Sequence, residues 1–274
     1  MYMTFTIALC ILLILEKKCR TLASNADQIV LKKHRRTMEG QDDYKDEIPF
    51  VVTGYGSIQR RPPWLTMFTA SMIAQEWALT CGHCVETIVD PSLWYGKFTE
   101  SAFEARLTSR VLNIHFHPAY RTYPELMSQE NIIDNNLALL RVTAISLQIY
   151  GRLLSVDYMS LIGLPVATVG AEGDAGLMNK IGNPKKKHIQ VGEGAVISCD
   201  KRMRRFNRHL LCLTPKCSSQ DHASPAGDSG APLLYSGKII AVHNYHFTDG
   251  SKIRITYTPV SPYIDWISKI VGIN

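Results

Sequence analysis

An all-β fold is predicted from the short apolar runs that follow residue 50. These runs are rich in β-branched and aromatic residues, and Gly, Pro and Asn separate them, as at residues 105–116, 136–142 and 238–243. Runs of this length between turn-forming residues are typical of antiparallel strands. At 274 residues the chain can form one large domain or two small ones with a buried core.

One helix is predicted, at the C-terminal end of the chain. Ser261 would be its N-cap and Pro262 its first residue. Apolar residues then recur at helical spacing at Ile264, Ile267 and Val271, which places them on one face.

Residues 1–23 are predicted to be a secretory signal peptide. The apolar run at residues 4–15 is too short to cross a bilayer as a helix, and small residues follow at Ala23, Ser24 and Ala26. Three basic residues lie between that run and the small residues, which leaves a membrane anchor as the alternative. No other segment has the length and composition of a membrane span, so the expected location is extracellular.

Residues 24–50 are predicted to be a flexible pro-segment. They are polar and charged, changing from a basic stretch at residues 32–36 to an acidic one at residues 42–47. The folded domain is therefore expected over residues 51–274.

The net charge of +6 is modest for a chain of this length, so nucleic acid is not an expected partner. Basic residues nevertheless cluster, and such clusters are commonly solvated loops. The alternative is a surface that binds an anionic partner such as a sulfated glycan. The clusters are Lys185, Lys186 and Lys187, and Lys201, Arg202, Arg204 and Arg205.

Three short blocks suggest hydrolytic chemistry. The first reads Leu79-Thr80-Cys81-Gly82-His83-Cys84, and the third, with its serine 146 residues after His83, reads Gly227-Asp228-Ser229-Gly230. The second reads Asn135-Asn136-Leu137-Ala138-Leu139-Leu140. A serine hydroxyl becomes a useful nucleophile only when a neighbouring base takes its proton, and a histidine is the usual base.

In this order and spacing, the three blocks resemble the signatures of the chymotrypsin/trypsin-like serine peptidases. The resemblance covers about residues 51–274. It implies two six-stranded antiparallel β-barrels, at about 51–155 and 156–274, with an active site in the cleft between them. It also implies cleavage of a polypeptide substrate without a cofactor or a metal. Further matches are Pro62-Pro63-Trp64, His117-Pro118-Ala119-Tyr120 and Tyr257-Thr258-Pro259-Val260-Ser261-Pro262-Tyr263-Ile264-Asp265-Trp266-Ile267.

The resemblance assigns a role to each residue of the motifs. Ser229 would be the nucleophile, and His83 the general base and then the general acid. The backbone N–H groups of Gly227 and Ser229 would form the oxyanion hole.

Asn136 stands where the family has its catalytic aspartate. An asparagine has nearly the same size but carries no charge, and its amide can donate to the histidine ring, which favours the tautomer that cannot act as base. In a serine peptidase this change is worth about 10⁴-fold in kcat. Asp134 could substitute only through a local bulge, because it lies two residues away, roughly 6–7 Å along a strand. Two functions stay open: a weak endopeptidase, and a non-catalytic homologue that binds a protease partner or an anionic surface.

The resemblance also places the residues of the specificity pocket. Ala223 stands six residues before Ser229, where trypsin-like enzymes carry an aspartate, and His246 and Ile255 stand at usual glycine positions. Cleavage, if any, is expected after small or medium apolar residues, in a pocket that Ile255 makes shallow or blocked.

Activation in this family implies a new amino terminus that pairs with the aspartate before the serine. Val51 and Asp228 are predicted to form that pair. Phe50 precedes Val51, so a trypsin-like activator finds no basic residue to cut after.

Five of the seven cysteines remain after the predicted leader is removed. The resemblance implies a bridge between Cys199 and Cys212. Phe68 occupies the place of the usual partner of Cys84, so Cys84 is expected to be free or to close a short ring with Cys81. An odd number of cysteines leaves at least one free thiol, with Cys217 among the candidates.

Cys81-Gly82-His83-Cys84 also matches the active-site tetrad of protein disulfide isomerases. That function would need the tetrad at the start of a helix in a thioredoxin-like βαβ unit. The surrounding sequence is β-rich and favours the peptidase interpretation.

Overall fold

The computed structural model describes residues 41–42, 47–58, 65–95, 108–123, 133–171, 189–204, 207–215, 228–249 and 252–272. Several predicted features lie outside these residues. They are the signal peptide, residues 24–40 of the pro-segment, Cys217, Ala223, Gly227 and the lysines at 185–187.

Most of the described residues lie in strands. In chain order the strands are β1 (Gln41–Asp42), β2 (Val51–Ile58), β3 (Leu65–Ala74), β4 (Trp77–Thr80), β5 (Ile88–Trp94), β6 (Thr108–Phe116), β7 (Arg121–Thr122), β8 (Ile133–Asp134), β9 (Ala138–Val142), β10 (Pro165–Ala171), β11 (Ile189–Ile197), β12 (Leu211–Pro215), β13 (Pro232–Tyr235), β14 (Lys238–Asp249) and β15 (Lys252–Pro259). The helices are α1 (Gly82–Val85), α2 (Lys201–Arg204) and α3 (Ile264–Val271), with 3₁₀ turns at Tyr158–Leu161 and Ser261–Tyr263.

The first barrel is closed and antiparallel, with strand order β2-β3-β4-β9-β6-β5. Its interior is apolar, and the aromatic ring of Phe68 is fully buried there. Gly54 makes room for that ring, because a Cβ at residue 54 would overlap it. Phe68 is thus a core residue of the barrel in the place where the family has a cysteine.

The second barrel runs β11-β10-β13-β14-β15-β12 and closes through pairing of β11 with β12. Its core contains Leu211, Leu213, Leu233 and Ile240. The short strand β1 adds to the outer edge at β11, with Gln41 opposite Val191. The prediction of two six-stranded antiparallel barrels with a C-terminal helix is confirmed.

Packed structure is also present upstream of Val51, and the domain boundary at residue 51 stays a prediction. Phe50 is 4 % exposed and packs in the core of the first barrel, and its carbonyl accepts the Met72 N–H at 2.8 Å. Ile48 packs against the same core, and strand β1 belongs to the second sheet. The charges of residues 42–47 dominate the composition of this segment and conceal these apolar side chains.

The C-terminal helix differs slightly from its prediction. The 3₁₀ turn Ser261–Tyr263 precedes α3, and Val260, not Ser261, is the residue before the turn, with no side-chain cap. Ile267 is buried, and Trp266 and Ile270 pack against the same core. Within the described ranges, no helix is long and apolar enough to cross a membrane.

Candidate active site

The structure brings His83 and Asn136 into direct contact. His83 lies on the four-residue helix α1, immediately after strand β4 of the first barrel. Asn136 lies in the loop before β9, which pairs with β4. Because β4 and β9 are adjacent, the side chains of His83 and Asn136 lie at the same end of the barrel.

Two hydrogen bonds fix the orientation of the Asn136 amide. Asn136 Oδ1 accepts the backbone N–H of His83 at 2.9 Å, and Asn136 Nδ2 lies 2.8 Å from His83 Nδ1. A backbone N–H can only donate, so the atom facing it must be the oxygen. The amide nitrogen then donates to Nδ1, and the neutral imidazole carries its proton on Nε2.

Asn244 holds the same orientation from the second barrel. This residue of β14 is fully buried, and its Oδ1 accepts the other N–H of Asn136. Its own Nδ2 is buried and has no hydrogen-bond partner among the described residues. Sequence analysis missed Asn244, although an asparagine inside an apolar strand was a usable signal.

Burial lowers the pKa of His83 from 6.5 to about 4. At neutral pH the ring is therefore uncharged.

Acid should destabilise the fold through this histidine. Between pH 6.5 and 4 the unfolded chain binds a proton at His83 and the folded chain does not. The free energy of unfolding is therefore highest above pH 6.5 and falls by about 3 kcal/mol as the pH drops to 4. Thermal unfolding from pH 7 to pH 4 measures the loss. His117 and His209, whose pKa burial also lowers, contribute in the same window, so His83→Gln serves as control. An unchanged pH slope in His83→Gln would contradict the assignment.

The turn that carries Ser229 is held by both barrels. The Ser229 carbonyl accepts the Thr69 N–H from β3 at 2.9 Å, and the Gly230 N–H donates to the His243 carbonyl of β14 at 3.1 Å. Gly230 has φ +86° and lies against Thr69 and Thr80. No hydrogen bond joins the Ser229 hydroxyl to His83, whose Nε2 lies 3.8 Å from Cys81 Sγ. Gly227 is outside the described residues, so the oxyanion hole stays a prediction.

Asp134 does not take the place of the missing aspartate. Its carboxylate accepts the Asn135 N–H at 3.0 Å and opposes the fall in the pKa of His117 and His209. The position beside His83 Nδ1 is taken by Asn136.

Asn135 holds the loop in shape. It adopts φ +50°, its Oδ1 accepts the Tyr263 hydroxyl at 3.0 Å, and its Nδ2 donates to the Ala119 carbonyl at 2.8 Å. These contacts fix the loop next to Asn136.

Ile255 lies in the core of the second barrel. It is 4 % exposed and pairs across strands with Leu213 and with His246. It therefore fills space that a glycine would leave open. Ala223 is not among the described residues, so the composition of the specificity pocket stays a prediction.

Val51 is a strand residue in this structure. Its N–H donates to the Ile48 carbonyl at 3.0 Å, and it lies opposite Ser71 in the β2–β3 ladder. Asp228 is buried. The pKa of Tyr257 is raised mainly by the burial of Tyr257 itself, and the nearby Asp228 carboxylate raises it further. Pairing of Val51 with Asp228 would require chain cleavage and withdrawal of Val51 from the ladder, and it stays a prediction.

The structure joins Cys199 to Cys212 and Cys81 to Cys84. Cys81, His83 and Cys84 place potential metal-binding atoms within 4.8 Å of one another. While the bridge is closed, however, the two sulfurs are not thiolates and do not serve as metal ligands. Strand β4 before the tetrad belongs to an antiparallel barrel and not to a βαβ unit, so the disulfide-isomerase interpretation is wrong.

Two barrels with a histidine in the first and a serine turn between them define the class of chymotrypsin-like serine peptidases. The family model described as Trypsin matches residues 38–267, and the chain belongs to this family.

Sequence relatives are distant. Duodenase-1 of Bos taurus is 24 % identical over 207 residues, which cover 72 % of this chain and 74 % of that protein. Collagenase of Hypoderma lineatum is 24 % identical over 213 residues, covering 74 % of this chain and 75 % of that protein.

Solved structures share the fold at low identity. The structure titled HL collagenase has a TM-score of 0.65 and 18 % identity, covering 86 % of this chain and 98 % of that one. The structure titled scabies mite inactivated protease paralogue S-I1 has a TM-score of 0.64 and 18 % identity, covering 86 % and 100 %. One title names a collagenase and the other an inactivated protease, so the fold does not decide whether Ser229 is active.

Proposed function

We propose that this protein is a serine peptidase homologue in which peptide-bond hydrolysis is arrested at His83, and that it acts by binding. The observation that carries the proposal is the orientation of Asn136, whose amide donates to Nδ1 of the ring. The partner would be a protease or another polypeptide that the protein recognises without cutting.

Hydrolysis is arrested because of the position of the proton on the His83 ring. A catalytic histidine accepts the serine proton at Nε2 while its Nδ1–H points to a carboxylate. Here Nε2 already carries the proton and cannot accept another. The charged ring formed during attack would also place Nδ1–H against the Asn136 N–H, so donor faces donor where a carboxylate normally stabilises the charge.

The alternative tautomer is opposed by the same contacts. Rotating the Asn136 amide would present its oxygen to Nδ1. The amide nitrogen would then face the backbone N–H of His83, and the oxygen of Asn244 would lose its donor. A buried donor without an acceptor costs about 1–3 kcal/mol. A specificity pocket that Ile255 makes shallow or blocked, as the sequence predicts, would also suit a protein that binds without cutting.

Labelling of Ser229 by a fluorophosphonate tests the proposal. The reagent reports whether the serine hydroxyl is activated, independently of the natural substrate. We expect the wild-type chain to react on the order of 10³-fold more slowly than an active family member. Ser229→Ala is the control for labelling elsewhere, and rapid labelling of the wild-type protein at Ser229 would refute the proposal.

A weak endopeptidase is the second candidate, and the formed Ser229 turn favours it. Its turnover would be slow and would follow small or medium apolar residues. A peptide library separates the two functions: turnover that Ser229→Ala abolishes supports the endopeptidase, and a preference for Lys or Arg contradicts the predicted pocket.

Secretion and an anionic partner belong to the same proposal. Two disulfides and the apolar run at residues 4–15 support an extracellular location. Lys201 is exposed on α2, which supports a basic surface there. Arg205 lies outside the described residues. The lysines at 185–187 lie outside the described residues.

A further inference from the structure

The Cys81–Cys84 bridge encloses His83, and the proposed function leaves it without a role. One cysteine precedes the histidine by two residues and the other follows it directly. Both are buried, Cys81 at 0 % and Cys84 at 8 % exposure. Any change in the bridge therefore acts on the backbone that carries the imidazole.

On one side the bridge faces the imidazole. Cys81 Sγ lies 3.8 Å from His83 Nε2, within reach of a weak N–H···S hydrogen bond. Because Asn136 leaves the ring proton on Nε2, that N–H has the sulfur as its acceptor. The outer nitrogen of His83 is thus directed at the bridge, where a catalytic histidine would face the serine.

On the other side the bridge faces the serine turn. A Cβ at Gly230, next to Ser229, would lie 3.3 Å from Cys84 Sγ. Phe68 fills the place of the usual partner of Cys84 and is fully buried, so Cys84 has turned to the nearer cysteine. The bridge therefore contacts both elements that a serine peptidase needs to bring together.

We propose that Cys81–Cys84 is a site of reversible reduction that controls the freedom of the His83 ring. A dithiol attacks one sulfur and breaks the S–S bond, and a second attack within the dithiol releases it as its own cyclic disulfide. Two electrons and two protons pass to the protein, which then holds two thiols. With the bridge open, the Cys81 side chain can rotate and Nε2–H loses its fixed acceptor, so the ring can leave its buried position.

The fold can survive this step because the ring is small. The two cysteines are three residues apart in sequence, against thirteen for Cys199 and Cys212. Constraint of the unfolded chain grows with the length of the closed loop, so the short bridge contributes less to stability than the long one.

Carbethoxylation of His83 by diethylpyrocarbonate, followed by peptide mass mapping, measures how far the imidazole is accessible. We expect reduction by dithiothreitol to raise the modification rate at His83 roughly fivefold to tenfold, the change that loss of one hydrogen bond allows. The readout is the reactivity of the imidazole, so it is independent of whether Ser229 is catalytically active.

Two double variants assign the effect to one bridge. Cys81→Ala/Cys84→Ala keeps Cys199–Cys212 and should show the fast rate without reductant and no further response. Cys199→Ala/Cys212→Ala keeps Cys81–Cys84 and should respond to reductant as the wild type does. A cooperative thermal unfolding transition confirms that each protein is folded.

Three results would overturn the proposal. One is a His83 rate that stays within about twofold when the bridge is opened. Another is a response to reductant that persists in Cys81→Ala/Cys84→Ala. The third is failure of dithiothreitol to produce thiols at Cys81 and Cys84, detected by N-ethylmaleimide labelling, under conditions that keep the protein folded. If the Cys81→Ala/Cys84→Ala variant does not fold, reduced Cys199→Ala/Cys212→Ala supplies the same comparison.

Discussion

Asn136→Asp is expected to raise Ser229-dependent peptide hydrolysis by about 10³-fold, recovering part of the roughly 10⁴-fold loss that the reverse change causes in a serine peptidase. A carboxylate only accepts, so it would take both the His83 backbone N–H and an Nδ1–H. Nε2 would then be free of its proton and able to act as base. The size of the gain corresponds to about 4 kcal/mol of activation free energy.

The structure already holds room for that carboxylate. Asn244 Nδ2 is buried without a partner among the described residues, and rotation of its amide would direct this donor at the new oxygen. The rotated amide therefore replaces the Asn136–Asn244 hydrogen bond that the substitution removes, without a change in volume.

Asn135→Asp is the matched control for the Asn136 variant. It adds the same charge on the same loop, one residue away, but Asn135 contacts Tyr263 and Ala119 instead of His83. Turnover of a peptide library, with Ser229→Ala in each background, measures the difference. The test uses a chain that begins at Val51 with a free amine able to reach Asp228. If Asn136→Asp in that form shows no Ser229-dependent turnover, the block lies in the specificity pocket or the activation region. Ordinary rates in the wild type would make Asp134 the next residue to mutate.

Gly230→Ala should unfold the serine turn, with a loss of stability of about 4 kcal/mol or more. At φ +86° a side chain is already disfavoured, and a Cβ at this position would overlap the Thr69 carbonyl and the Thr80 hydroxyl. Since Thr80 donates to that same carbonyl at 2.7 Å, neither atom can move without breaking the bond.

Gly237→Ala separates the steric cost from the cost of the backbone angle. Gly237 has φ +71°, and nothing lies within 4 Å of its Cβ position. Its loss should be about 1 kcal/mol, the cost of the left-handed conformation alone. Denaturant midpoints of the two variants measure the difference, and equal midpoints would contradict the packing described around Gly230.

The two barrels could be predicted from the sequence because several short contiguous blocks carry the family resemblance. The roles of His83 and Ser229 rest on two of these blocks and stay predictions. The orientation of Asn136 could not be predicted. It depends on a backbone N–H 53 residues away and on Asn244, 108 residues away, and neither contact leaves a local pattern. The tautomer of His83 follows from the contacts of the Asn136 amide with the His83 N–H, His83 Nδ1 and Asn244 Oδ1.

The packing upstream of Val51 could not be predicted for a related reason. The β-branched Val51 and Val52 suit the amino terminus of an activated peptidase as well as they suit a barrel strand, and only the pairing with β3 distinguishes them. Phe50 belongs to the short apolar stretch Ile48–Phe50 after an acidic one, and its burial depends on Met72 and Gly151 beside it. Such long-range packing is not visible in composition.

Contacts across the two barrels give the site a distinctive exchange behaviour. Thr69 of the first barrel bonds to Ser229, and Asn136 bonds to Asn244 of the second. Opening either barrel alone would break these bonds, so the Thr69 amide should exchange with deuterium whenever the less stable barrel opens. The exchange rate of this amide would then report the opening of that barrel, and the lifetime of the active-site seam would equal the lifetime of the weaker barrel and not that of the whole fold.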